Sequence, residues 1–115
     1  MKATIYHNPR CSKSRQTLAL LEEQNVELDV VEYLKTPPDE TTLRNILGKL
    51  GLGPMQLMRT GESVFKELKL ADKADDDDAL IKAMLENPIL IERPIVLANG
   101  KAAIGRPPES VLDIL

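Results

Sequence analysis

The chain has 115 residues, a formal net charge of −3 and only 3% aromatic residues. That suits one domain with its own core and gives a nucleic-acid partner neither a basic surface nor stacking platforms. One cysteine and one histidine exclude an intramolecular disulfide, point to a reducing, cytoplasmic setting, and leave no usual zinc ligand set without carboxylates. Neither a metal nor a bound cofactor is expected. No secretory apolar segment follows Met1-Lys2, and no apolar run approaches spanning length, so no membrane partner is expected.

Residues 2–6 read as a buried strand through Ala3, Ile5 and Tyr6, and residues 11–23 as a helix carrying Leu18 and Leu21. Residues 26–33 alternate Val26, Leu28 and Val30 against Glu27 and Asp29, the pattern of a second strand. Thr36-Pro37-Pro38 breaks it. Asp39 or Thr41 then caps a helix with Leu43, Ile46, Leu47 and Leu50 on one face and Gly51 as its stop. Gly53-Pro54 opens a short helical piece that ends at Arg59, and residues 63–70 read as helical again. The four aspartates at 75–78 precede a helix over 79–86. Acidic residues there suit the helix dipole; a metal-binding acidic cluster is the sharper alternative. Pro94-Ile95-Val96-Leu97 is a buried-strand pattern, Asn99-Gly100 a hairpin turn, and residues 101–104 the returning strand. Residues 108–115 read as a terminal helix with Val111, Leu112 and Leu115 inward.

The order β-α-β, several helices, β-β-α predicts an α/β, thioredoxin-like fold. A helical insertion over about residues 36–87 separates the N-terminal β-α-β from the C-terminal β-β-α. Folds of this type carry a cis proline before the third strand, beside the thiol, and Pro94 stands at that point.

The cysteine and the histidine share one nonapeptide, His7-Asn8-Pro9-Arg10-Cys11-Ser12-Lys13-Ser14-Arg15, between a strand end and a helix start. A helix start offers unpaired N–H groups and about half a positive charge. Arg10, Lys13 and Arg15 add whole charges. Together these favour thiolate over thiol, and the same N–H groups suit an oxyanion. Cys11 and Ser14 form a C-x-x-S arrangement. With no cysteine at 14, an oxidised Cys11 must be resolved by an outside thiol. Thr17 stands where a C-x5-R phosphatase loop needs arginine.

Together with Arg59, Ile91-Glu92-Arg93-Pro94-Ile95-Val96 and Gly105-Arg106-Pro107, this loop resembles the arsenate reductase family of the glutaredoxin-coupled type. The resemblance runs over essentially the whole chain. It implies that Cys11 is the catalytic thiol and that His7 and Ser14 tune or orient it. It implies that Arg59, Arg93 and Arg106 bind the oxyanion, and Arg15 of the thiol loop is counted with them. It also implies arsenate or a similar oxyanion as substrate, glutathione as co-substrate and glutaredoxin as partner. Ser12-Lys13 stands where well-studied members carry Gly-Thr. A glycine's conformational freedom is then missing from the loop, and slower turnover is expected. Two other readings stay open: a non-catalytic thioredoxin-like regulator or adaptor, in which Cys11 is dispensable, and a general glutathione-dependent thiol oxidoreductase, active without an oxyanion.

Overall fold

The computed structural model describes residues 2–115. The chain forms two compact units: residues up to Thr36 together with Arg93–Leu115, and the intervening Pro37–Glu92. No helix among the described residues is long and apolar enough to cross a membrane.

The first unit is built on four strands: β1 (Lys2–His7), β2 (Glu27–Glu32), β3 (Ile95–Ala98) and β4 (Lys101–Ile104). Their order is β2-β1-β3-β4. β1 runs parallel to β2 and antiparallel to β3, and β3 pairs antiparallel with β4. Asn99 and Gly100, with φ of 54° and 73°, make the tight turn between β3 and β4, the backbone that an Asn-Gly pair favours. One helix, α1 (Ser12–Glu23), lies between β1 and β2. Its buried positions are Ser14, Thr17 and Leu21, one stripe at helical spacing. Leu21 joins Ala3, Ile5, Val96, Ala98, Val111 and Ile114 in the core, with Leu18 packed at its margin.

Two expectations change here. β2 lies at the sheet edge, so its alternation does not separate a buried face from a wet one, and Val30 is 44% exposed. The terminal segment Pro108–Ile114 is a 3-10 helix. At three residues per turn, its inward side chains are Pro108, Val111 and Ile114, whereas Leu112 is exposed.

The second unit is helical. Asp39 caps α2 (Glu40–Leu50) by accepting the Thr42 N–H at 2.8 Å, and Gly51 ends it at φ 69°. α3 (Pro54–Leu57) follows, then α4 (Ser63–Glu67). α4 is shorter than its sequence pattern predicts, because Lys69 turns left-handed before a 3-10 segment over Leu70–Lys73. α5 (Asp77–Glu86) is capped by Asp76, which accepts the Ala79 N–H at 3.1 Å. Arg44 joins Glu40 and Asp78 at 2.9 and 2.7 Å. The acidic run therefore caps and pairs. Among the described residues, no three His, Cys, Asp or Glu side chains gather to hold a metal ion.

The contrast between the central and edge strands is measurable. Ile5, fully buried on β1, should cost about 2–5 kcal/mol when cut to Ala. Val30→Ala on the exposed edge should cost under about 1 kcal/mol. Urea unfolding midpoints at unchanged slope would show the difference.

Candidate active site

Cys11 is the N-cap of α1, with extended backbone (φ −94°, ψ 123°), and its side chain caps nothing. The loop before it is stiff. Asn8 accepts the Arg10 N–H on its side-chain oxygen at 3.0 Å, and its carbonyl accepts the Cys11 N–H at 3.0 Å. The sulfur is partly buried and free. Helical geometry turns the N–H groups of Lys13 and Ser14 back toward the cap, where both favour the charged form of the sulfur.

The period of two along β1 places His7 on the face shared by Ala3 and Ile5, against the buried stripe of α1. There its Nδ1 and the Ser14 hydroxyl share a 2.6 Å hydrogen bond. The same hydroxyl accepts the Asn8 N–H at 3.0 Å. Ser14 is fully buried and His7 nearly so. These side chains are bonded to one another rather than to the sulfur. They brace the loop, and Ser14 acts on Cys11 through its main chain. Burial pushes the His7 pKa down; Glu32, its register partner on β2, opposes this and Arg15 adds to it. The net effect is downward, so the imidazole is neutral at neutral pH.

Two arginines reach the sulfur from the far end of the chain. The Arg93 guanidinium favours its charged form, and Arg106 approaches it through a terminal nitrogen at 3.6 Å. Arg106 is itself held by its Nε, which donates to the Arg93 carbonyl at 2.8 Å. Both arginines precede cis prolines, at Arg93–Pro94 and Arg106–Pro107. The second cis bond was not expected from sequence.

The thiol pKa follows from this geometry. Burial raises it, but the Ser14 N–H, the Arg93 guanidinium and the Lys13 N–H together outweigh burial and hold it below the ordinary value. The cation acting on the thiol is therefore Arg93, and not Arg10, Lys13 or Arg15 as charged side chains. Lys13 contributes its main-chain N–H. Arg10 lines a cavity of about 210 Å³ on the β2 side of the loop, with His7, Asn8, Pro9, Glu32, Leu34 and Lys35. Arg15 donates to the Pro9 carbonyl at 3.0 Å, which fastens α1 to the loop. Ser12 opens α1 and is not among the residues with positive φ, so nothing there needs the freedom of glycine.

Arg59 belongs to the second unit. A bridge between Met58 and Ile91 positions it, flanked by Arg59 N–H to Leu90 carbonyl at 2.7 Å and Glu92 N–H to Leu57 carbonyl at 2.8 Å. Its guanidinium donates to Glu92 at 2.7 Å, while its buried Nε makes no hydrogen bond. Glu92, the partner of Arg59, carries no motif of its own in the sequence. The only signal for it was its place beside Arg93.

Residues 6–114 match the model of the ArsC family. The chain is 61% identical over 112 residues to the uncharacterized protein YfgD of Escherichia coli K12, covering 96% of this chain and 94% of that one. It is 53% identical to an arsenate reductase of Neisseria meningitidis, with 96% of each chain covered. A solved arsenate reductase from Vibrio cholerae superposes with a TM-score of 0.95 at 53% identity, covering 100% of this chain and 98% of that one.

The division of labour around the sulfur has a direct test. Arg93→Ala should raise the Cys11 pKa by about one unit or more. Lys13→Ala should leave it unchanged, because the lysine acts through its N–H. Thiolate absorbance titrated against pH measures both.

Proposed function

The chain belongs to the ArsC family, and from that footing we propose that it reduces arsenate to arsenite with Cys11 as nucleophile and an external thiol as reductant. One observation carries the reading: a single sulfur at a helix start, below its ordinary pKa, flanked by the guanidinium groups of Arg93 and Arg106. An unperturbed cysteine is only a few per cent thiolate at neutral pH. Guanidinium groups match a tetrahedral oxyanion through paired N–H donors. The two arginines thus serve the thiolate first and the anion next.

The chemistry follows from having one cysteine. The Cys11 sulfur attacks arsenic, and an arsenate oxygen departs as water after taking up protons. Glutathione condenses with the same arsenic and releases a second water; arsenic is still pentavalent. A glutaredoxin thiolate then attacks the glutathione sulfur. The arsenic–sulfur bond to glutathione breaks, its electron pair stays on arsenic, and a glutaredoxin–glutathione mixed disulfide leaves. Water releases arsenite from Cys11 and restores the thiol. The outside thiols are required because position 14 is serine, so no second cysteine can resolve the adduct. Arg59 enters the anion set on the family resemblance, and the Arg15 bond to the Pro9 carbonyl favours a bracing role over an anion-binding one.

Arsenate-dependent NADPH consumption, coupled through glutathione, glutaredoxin and glutathione reductase, tests the reading. Turnover is expected with the wild type and none with Cys11→Ser. Arg93→Ala and Arg106→Ala should each lose about 2–5 kcal/mol of transition-state stabilisation, with Lys restoring only part because it lacks the fork. Arsenate turnover that survives Cys11→Ser would refute the proposal.

A further inference from the structure

Gly105 sits where β4 ends, one residue before Arg106. It is buried, and its N–H donates to the Pro94 carbonyl at 2.9 Å. A Cβ at this position would overlap the Thr17 hydroxyl oxygen and stand 2.7 Å from Pro94 Cγ and 3.0 Å from Thr17 Cγ2. At every other glycine, a Cβ would meet no atom of the described residues closer than 3.9 Å. Its φ is not positive, so close approach, and not backbone conformation, explains glycine here. Thr17 is fully buried in the stripe of α1, one turn below Ser14. Its hydroxyl donates to the Lys13 carbonyl at 2.8 Å, which fixes the rotamer that faces Gly105.

These contacts join the element carrying the thiol to the two segments carrying the arginines. Thr17 belongs to α1, which starts at Cys11. Pro94 follows Arg93, and Gly105 precedes Arg106. The Arg106 Nε bond to the Arg93 carbonyl ties the two arginine segments together. We propose that Thr17 and Gly105 form a steric stop that sets the approach of Arg93 and Arg106 to the Cys11 sulfur, which makes both of them positioning residues for the reaction. The mechanism rests on packing: interiors have no slack to absorb an added methyl group. Moving the Gly105 backbone away from α1 must move Arg106 with it. For transition-state stabilisation this inference rests on the arsenate reading; for the state of the thiol it does not.

The test is the Gly105→Ala variant, read by thiolate titration and by arsenate kinetics. The Cys11 pKa should rise by about one unit as the arginines withdraw. The kcat/KM for arsenate should fall by about a hundredfold, the scale of a misplacement near 1 Å. A merely structural role would lower the melting temperature and leave the pKa of the folded protein unmoved. Adding Thr17→Ala to Gly105→Ala makes room for the methyl group and should return the pKa toward the wild-type value. A folded Gly105→Ala protein with an unchanged Cys11 pKa, or a double variant no closer to wild type than the single one, would overturn the proposal. If Gly105→Ala does not fold, Thr17→Ala alone decides. It removes the stop without creating an overlap and lets the arginines close on the sulfur, so a lowered pKa supports the inference and an unchanged or raised one overturns it. The titration needs no arsenate, so failure here and failure of the arsenate reading are separable.

Discussion

The need to favour negative charge on a partly buried sulfur is the constraint on which the rest of the site depends. Burial alone favours the neutral thiol. Local geometry supplies only part of the opposing effect, through the Ser14 and Lys13 N–H groups at the start of α1. The remainder comes from Arg93, while Arg106, 95 residues away along the chain, stands 3.6 Å from the sulfur. The site therefore exists only when β3 and β4 are seated against β1 and α1.

That dependence explains why so much of the surroundings braces and so little touches the sulfur. The His7–Ser14 bond and the Asn8 contacts stiffen the loop. Arg15 fastens the loop to the helix, and Thr17 anchors to the Lys13 carbonyl. Each fixes a donor or an arginine in place without offering a charge to the thiolate. A polar stripe at the top of α1, with Leu21 below it in the core, does this without leaving a buried hydroxyl unsatisfied. An unmet one would cost about 1–3 kcal/mol.

What could be read from sequence was what local chemistry decides. Asn99-Gly100 demands two positive φ angles, Gly51 ends a helix, Asp39 caps one, and the alternation of β1 points Ala3 and Ile5 inward. The loop itself stood out because the only cysteine and the only histidine share it. Charge near Cys11 in sequence was the misleading signal, since none of Arg10, Lys13 and Arg15 acts on the thiol as a charged side chain and Arg93 does. No periodicity could bring Arg93 and Arg106 to the thiol; that required the family resemblance or the fold. Leu112 and Val30 were misjudged for geometric reasons, one by a 3-10 helix and the other by an edge strand. The close approach at Gly105 left no mark in the sequence beyond a glycine that could equally have served a turn.

If Arg93 and Arg106 serve the thiolate and the oxyanion in turn, the two must be linked. A bound anion draws on the same guanidinium groups and places a like charge beside the sulfur. The most direct measurement is the Cys11 pKa, by thiolate absorbance, without and with a saturating tetrahedral anion that is not reduced, such as sulfate. The account predicts that the pKa rises by about one unit when the anion is bound. Sulfate demonstrably bound with the Cys11 pKa unmoved would contradict it, because the anion would then be held by groups other than those that hold the thiolate.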